Sequence, residues 1–78
     1  MPTIERYRGY RFFFFSNEGG GPPHVHVESG REWAKFWLGP VAYVDSRGYN
    51  ASQMREIRSR IEEMRVRYLE AWHEHFGR

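Results

Sequence analysis

The chain changes hydrophobic period once, at Asn50, and that change limits the folds open to it. After Asn50, the positions Met54, Ile57, Ile61, Met64, Tyr68, Ala71 and His75 recur at alternating steps of three and four, the spacing that lines one face of an α-helix. Leu69, Trp72 and Phe76 broaden this stripe toward its end. Asn50 is a good N-cap, and Gln53 three residues later completes a capping-box pattern. Gly77 suits the position just past a helix C-terminus. Before Asn50 the chain reads differently, as short alternating segments cut by Gly and Pro, which is the signature of strands.

Those segments run from Thr3 to Tyr7, from Tyr10 to Phe15, from His24 to Glu28 and from about Glu32 to Leu38, with a short fifth piece from Val41 to Val44. Gly9, Ser29-Gly30, Gly39-Pro40 and Asp45-Ser46-Arg47-Gly48 supply turns, and Ser16 to Gly21 reads as a flexible loop. Strands followed by a helix predict an α+β fold: an antiparallel sheet of four to five strands, then one long C-terminal helix packed on one face. A chain of 78 residues has room for one core, so a single domain spans 1–78, with strands over about 3–44 and the helix over about 51–76. A helix from Ala51 to Phe76 is about 39 Å long, whereas five strands span only about 20 Å. The helix is therefore expected to overhang the sheet, carrying Leu69, Trp72 and Phe76 into an interface with a second copy or a partner.

Composition narrows the function classes. With no cysteine, a disulfide framework and thiol chemistry are excluded, and a reducing cytoplasm fits. The first residues lack a signal-peptide run, and the longest purely apolar runs are four residues, Phe12 to Phe15 and Val41 to Val44. No membrane span is expected. The formal net charge of +2 is too small to argue for nucleic-acid binding by itself. Of the 12 basic residues only Lys35 is lysine. Arginine suits carboxylate and phosphate partners, but GC-rich coding and surface pairing with glutamate produce the same bias.

Chemistry concentrates at Gly21 to Val27, which reads Gly-Pro-Pro-His-Val-His-Val. Pro22 and Pro23 stiffen an extended approach. On a strand His24 and His26 then share one face while Val25 and Val27 share the other. With the valines toward the helix, Ala34, Phe36 and Leu38 point inward too. Trp33, Lys35 and Trp37 then join His24, His26, Glu28 and half of the phenylalanines on the outer face. Such a face suits a dimer or partner interface, a stacking platform for single-stranded nucleic acid, or a second small core under the Ser16 to Pro23 loop.

The histidines admit several chemistries. One ion could bridge them, but Glu28 lies about 13 Å from His24 along the strand. Further ligands would have to come from Glu18, or from one of His73 and His75, which sit about 200° apart on the helix. No metal site and no cofactor is expected. RNA cleavage needs a base, an acid and a cation, for which His24 and His26 with Arg11 or Lys35 are candidates. The bland alternative is that the histidines brace the loop.

The sequence resembles a small bacterial family known only as the domain of unknown function numbered 4160. The resemblance rests on Met1-Pro2-Thr3-Ile4, Gly9-Tyr10-Arg11-Phe12, Ser16-Asn17-Glu18-Gly19, the signature Pro22-Pro23-His24-Val25-His26-Val27, Ala34-Lys35-Phe36-Trp37-Leu38, Pro40-Val41 and Ala71-Trp72-His73-Glu74-His75-Phe76-Gly77. It implies a protein from a two-gene module of the toxin–antitoxin type. The lead expectation is an interaction module whose apolar surfaces dimerise or take a cognate small protein. The alternative is an RNA-binding toxin or ribonuclease using His24 and His26, with or without a metal.

Overall fold

A computed structural model describes residues 3–16 and 20–77 of the chain. The expectations placed on Met1, Pro2, Asn17, Glu18 and Gly19 lie outside the described residues, including Glu18 as a further metal ligand. The elements are β1 (Thr3–Tyr7), β2 (Tyr10–Phe13), β3 (His24–Ser29), β4 (Glu32–Leu38), β5 (Val41–Arg47), α1 (Ala51–Glu63) and α2 (Arg65–Phe76). The strands form one antiparallel sheet in the order β1-β2-β3-β4-β5. Every neighbour in the sheet is thus a neighbour in sequence, the simplest antiparallel topology.

Turn chemistry sets the register. Arg8 and Gly9, with φ of 51° and 86°, form the two-residue connection of β1 and β2, where positive φ at both positions matches the strand twist. Gly30 opens the β3–β4 hairpin at φ 59°. Gly48 has φ 96° and sits so close to Glu32 that an added Cβ would lie 2.6 Å from Glu32 Cγ.

The inner face collects Tyr10, Phe12 and Phe14, Val25 and Val27, and Ala34, Phe36 and Leu38, closed by Ile57 and Ile61 of α1 and Tyr68 and Trp72 of α2. Val25 and Val27 are fully buried there, so the alternation of β3 is the expected one. Burying each large aliphatic or aromatic side chain contributes about 1.5–3 kcal/mol. Asn50 caps α1 as expected: its side chain accepts from the Gln53 N–H at 2.8 Å, and the Gln53 side chain accepts from the Asn50 N–H at 2.9 Å.

Three expectations are corrected. β5 runs to Arg47 rather than Val44, because Asp45 and Arg47 find cross-strand partners in Lys35 and Trp33. A bulge between Lys35 and Phe36 shifts the pairing there and bends the strand. The single helix is two. Met64 leaves helical geometry (φ −99°, ψ 9°), although its N–H still donates to Arg60 O at 2.9 Å and its carbonyl accepts from Tyr68 N–H at 2.8 Å. Neither Pro nor Gly lies between Asn50 and Gly77, so the break comes from tertiary anchors on either side of it. Arg60 is held by Glu5 of β1, and Arg65 Nε donates to Leu38 O at the end of β4, 2.7 Å away. A straight helix of about 39 Å laid along the molecule would outrun its 34 Å long dimension.

The third correction follows from the second. The apolar end of α2 is not bare, because Phe14, just beyond β2, reaches it. Trp72 packs edge-on to Phe14 at 5.1 Å, and Phe76 packs on both, at 6.0 Å from Phe14 and 4.3 Å from Trp72. Trp72 is 1 % exposed, while Leu69 and Phe76 are half-buried against the core. Of the three residues expected at an interface, Trp72 thus belongs to the chain's own core, while Leu69 and Phe76 keep part of their surface exposed.

Candidate functional site

The sheet face away from the helices is built by alternation. β3 contributes His24, His26 and Glu28, and β4 sets Trp37, Lys35 and Trp33 directly opposite them. Among the phenylalanines the structure picks Phe13, and Phe15 just beyond β2, for this face. Phe13 lies opposite His26 in the ladder, and its ring stacks on the imidazole at 5.5 Å. Phe15 turns back edge-on to His26 at 4.5 Å and to Phe13 at 5.2 Å. Phe12 and Phe14 go to the core.

His24 has a different environment from His26. It is only 4 % exposed, lodged at the end of the sheet among His26 (5.1 Å), Trp37 (5.9 Å) and Trp72 of α2 (5.0 Å). Its Nδ1 lies 3.1 Å from Pro22 O. A carbonyl only accepts, so this bond places a proton on Nδ1. Pro23 is fixed as well, since its carbonyl accepts from Leu38 N–H at 3.0 Å and extends the β3–β4 ladder by one step. Proline cannot donate, but it can end a ladder as an acceptor. The Pro22-Pro23 approach therefore positions His24, and Trp72 seals it. No local pattern marks that seal, because it depends on where α2 ends up.

Arg11 and Glu28 complete the face. Arg11 Nη1 pairs with Glu28 Oε2 at 2.8 Å, Arg11 Nε donates to Thr3 Oγ1 at 2.7 Å, and its guanidinium carbon lies 4.4 Å from the Phe13 ring centre. Lys35, between Asp45 and His26 in the ladder, leans over Trp37 with Nζ at 5.3 Å. Trp33 is 38 % exposed.

Two concavities open here. One, of about 350 Å³, is lined by Phe13, Phe15, His26, Glu28 and Trp33, with Val27 and Ala34 beneath. The other, of about 330 Å³, is polar, lies toward the β1 edge and includes Thr3, Arg6, Arg11 and Glu28. Of the expected site residues, Trp33 and His26 line the aromatic cleft, Lys35 and Trp37 lie beside it, and His24 with Pro22 and Pro23 is built into the sheet end. The participation of Arg6 and Thr3 is new, whereas Phe15 is one of the phenylalanines expected on this face, although the strand read as Tyr10 to Phe15 ends at Phe13. Among the described residues no group of three His, Asp or Glu side chains is placed to hold a metal ion.

A five-stranded antiparallel meander with helices on one side and an aromatic face on the other defines a small open-faced α+β protein. The chain belongs to the family described as Domain of unknown function (DUF4160), whose model matches residues 9–73. That match contains the Pro22 to Val27 signature and most of both helices. No match to the chain is found among curated proteins or among solved structures.

Proposed function

We propose that the protein is a binding module that takes a cognate small protein on the outer face of its sheet. The observation that carries this reading is the aromatic cleft beside exposed Trp33, a concave and largely apolar surface. Such surfaces mark interaction sites. The partner in this reading is the product of the adjacent gene, in line with the two-gene module of the toxin–antitoxin type that the family resemblance implies. Its cytoplasmic setting is part of the same reading. No helix among the described residues is long and apolar enough to cross a membrane.

Acid–base catalysis by His24 and His26 fits the geometry less well, since His24 is enclosed by Trp37, Trp72 and the Pro22 carbonyl. One observation favours RNA binding as a second reading: Arg6 and Arg11 line a polar concavity next to the aromatic cleft, a pairing of cation and stacking surface that single strands use. Co-expression with the adjacent gene product separates the two. The expected result is a complex that survives sizing at moderate salt and is lost when Trp33→Ala and Trp37→Ala are combined. Retention of the complex by that folded double variant would overturn the reading. Salt-sensitive binding of single-stranded RNA, without any protein complex, would put the second reading in its place.

A further inference from the structure

The chemistry of the aromatic cleft is more specific than its shape. Its lining side chains are Phe13, Phe15, His26 and Trp33, together with one charged group, the Glu28 carboxylate. Glu28 is 43 % exposed at its side chain, so it faces the opening as well as Arg11. Directly across the ladder from it stands Trp33, the more exposed of the ring walls. A carboxylate among aromatic faces attracts a cation and repels a phosphate or a carboxylate. The same cluster already holds one guanidinium in this manner. Arg11 lies over Phe13, with its guanidinium carbon 4.4 Å from the ring centre and its Nη1 2.8 Å from Glu28. Flat stacking combined with a carboxylate contact is guanidinium chemistry, because an ammonium group has no planar face to lay on an indole.

We infer that the cleft between Trp33 and the Phe15–His26 pair receives an arginine side chain of the protein partner, stacked on Trp33 and hydrogen-bonded to Glu28. This rests on the reading of the outer face as a protein-binding surface and names what that surface selects. The partner is expected to present an exposed arginine at the centre of its own contact patch.

The test uses capped tripeptides, acetyl-Gly-Arg-Gly-amide and its citrulline counterpart, which keeps the shape and loses the charge. The readout is the tryptophan indole N–H resonances of the intact protein, with Trp33 assigned through Trp33→Phe. The arginine peptide should shift the Trp33 resonance at millimolar concentration and bind about threefold or more tightly than the citrulline peptide. Glu28→Gln should bring the two together, and in Trp33→Ala the arginine peptide should leave the remaining indole N–H resonances unshifted while the fold, followed by circular dichroism, stays. Equal binding of arginine and citrulline to the unsubstituted protein would overturn the inference, whatever the variants do. A response that appears only on dilution of the protein would assign the cleft to a second copy and would equally overturn it. If the cognate complex depends on Trp33 while the two peptides are indistinguishable, the arginine inference fails and the binding-surface reading stands.

Discussion

Three donors from the helices converge on Glu5, a residue of the edge strand β1. Arg60 gives Nε at 3.0 Å and Nη2 to the second oxygen, and Tyr68 gives its hydroxyl at 2.6 Å. The Arg60 hydrogen bond, followed by that of Tyr68, holds the Glu5 carboxyl below its ordinary value of 4.5 despite the opposing effect of burial. Glu56 is lowered too, by Arg8 first and then by Tyr10. Tyr10 itself is pushed up to about 12, mainly by burial and then by that same carboxylate. A carboxyl whose folded value lies below its unfolded value binds fewer protons when folded. Its stabilisation is therefore complete above the unfolded value and is lost as pH falls through the folded one. The melting temperature should hold from neutrality to about pH 5 and then fall. Glu5→Gln should lower the neutral plateau and flatten that fall. An acid limb of unchanged slope in Glu5→Gln would show that other carboxylates carry it. Helical spacing alone sets Glu56 within reach of Arg60 and Glu62 within reach of Arg65. Instead Glu56 reaches Arg8, Arg60 reaches Glu5 and Glu63, and Glu62 faces Arg58. Helical spacing shows which charges can meet, but tertiary contacts decide which do.

At the level of elements, Gly48 gives the sharpest test. Alanine there would meet both the left-handed backbone and Glu32, so Gly48→Ala should destabilise by more than about 1 kcal/mol, read as a lower denaturation midpoint with unchanged slope. A neutral result would mean that β5 and the Asn50 cap can re-form around a different turn. The strands themselves were legible because alternation is strict where one face is buried: Val25 and Val27 inside fix His24 and His26 outside, and Ala34, Phe36 and Leu38 inside fix Trp33, Lys35 and Trp37. The capping box was legible for the same local reason. The break at Met64 was not, since the stripe from Met54 to His75 runs through it without interruption and the cause lies in Glu5 and Leu38, far away in sequence. Nor was the extra length of β5, whose Asp45-Ser46-Arg47 reads as a turn until Lys35 and Trp33 are set against it. At the candidate site, the shared face of the histidines could be read from the residues. The enclosure of His24 could not, because Trp72 reaches it from the other end of the chain.

On the scale of the whole molecule, Trp72 joins the inner core to the outer-face histidine, touching Phe14 on one side and His24 on the other. Replacing it with alanine should cost about 3–5 kcal/mol, and the loss should appear at every protein concentration, as expected of a residue buried within its own chain. A melting temperature that falls only on dilution would instead return Trp72 to a subunit interface. Each of the five strands pairs with its neighbour in sequence, so the sheet needs only local closures to form. Its cover comes last, since Tyr68 and Trp72 belong to α2. A nascent chain emerging from the ribosome can therefore complete its meander with Phe12, Phe36 and Leu38 still bare. That interval is when chaperones have an apolar sheet to grip and when two unfinished copies can stick together.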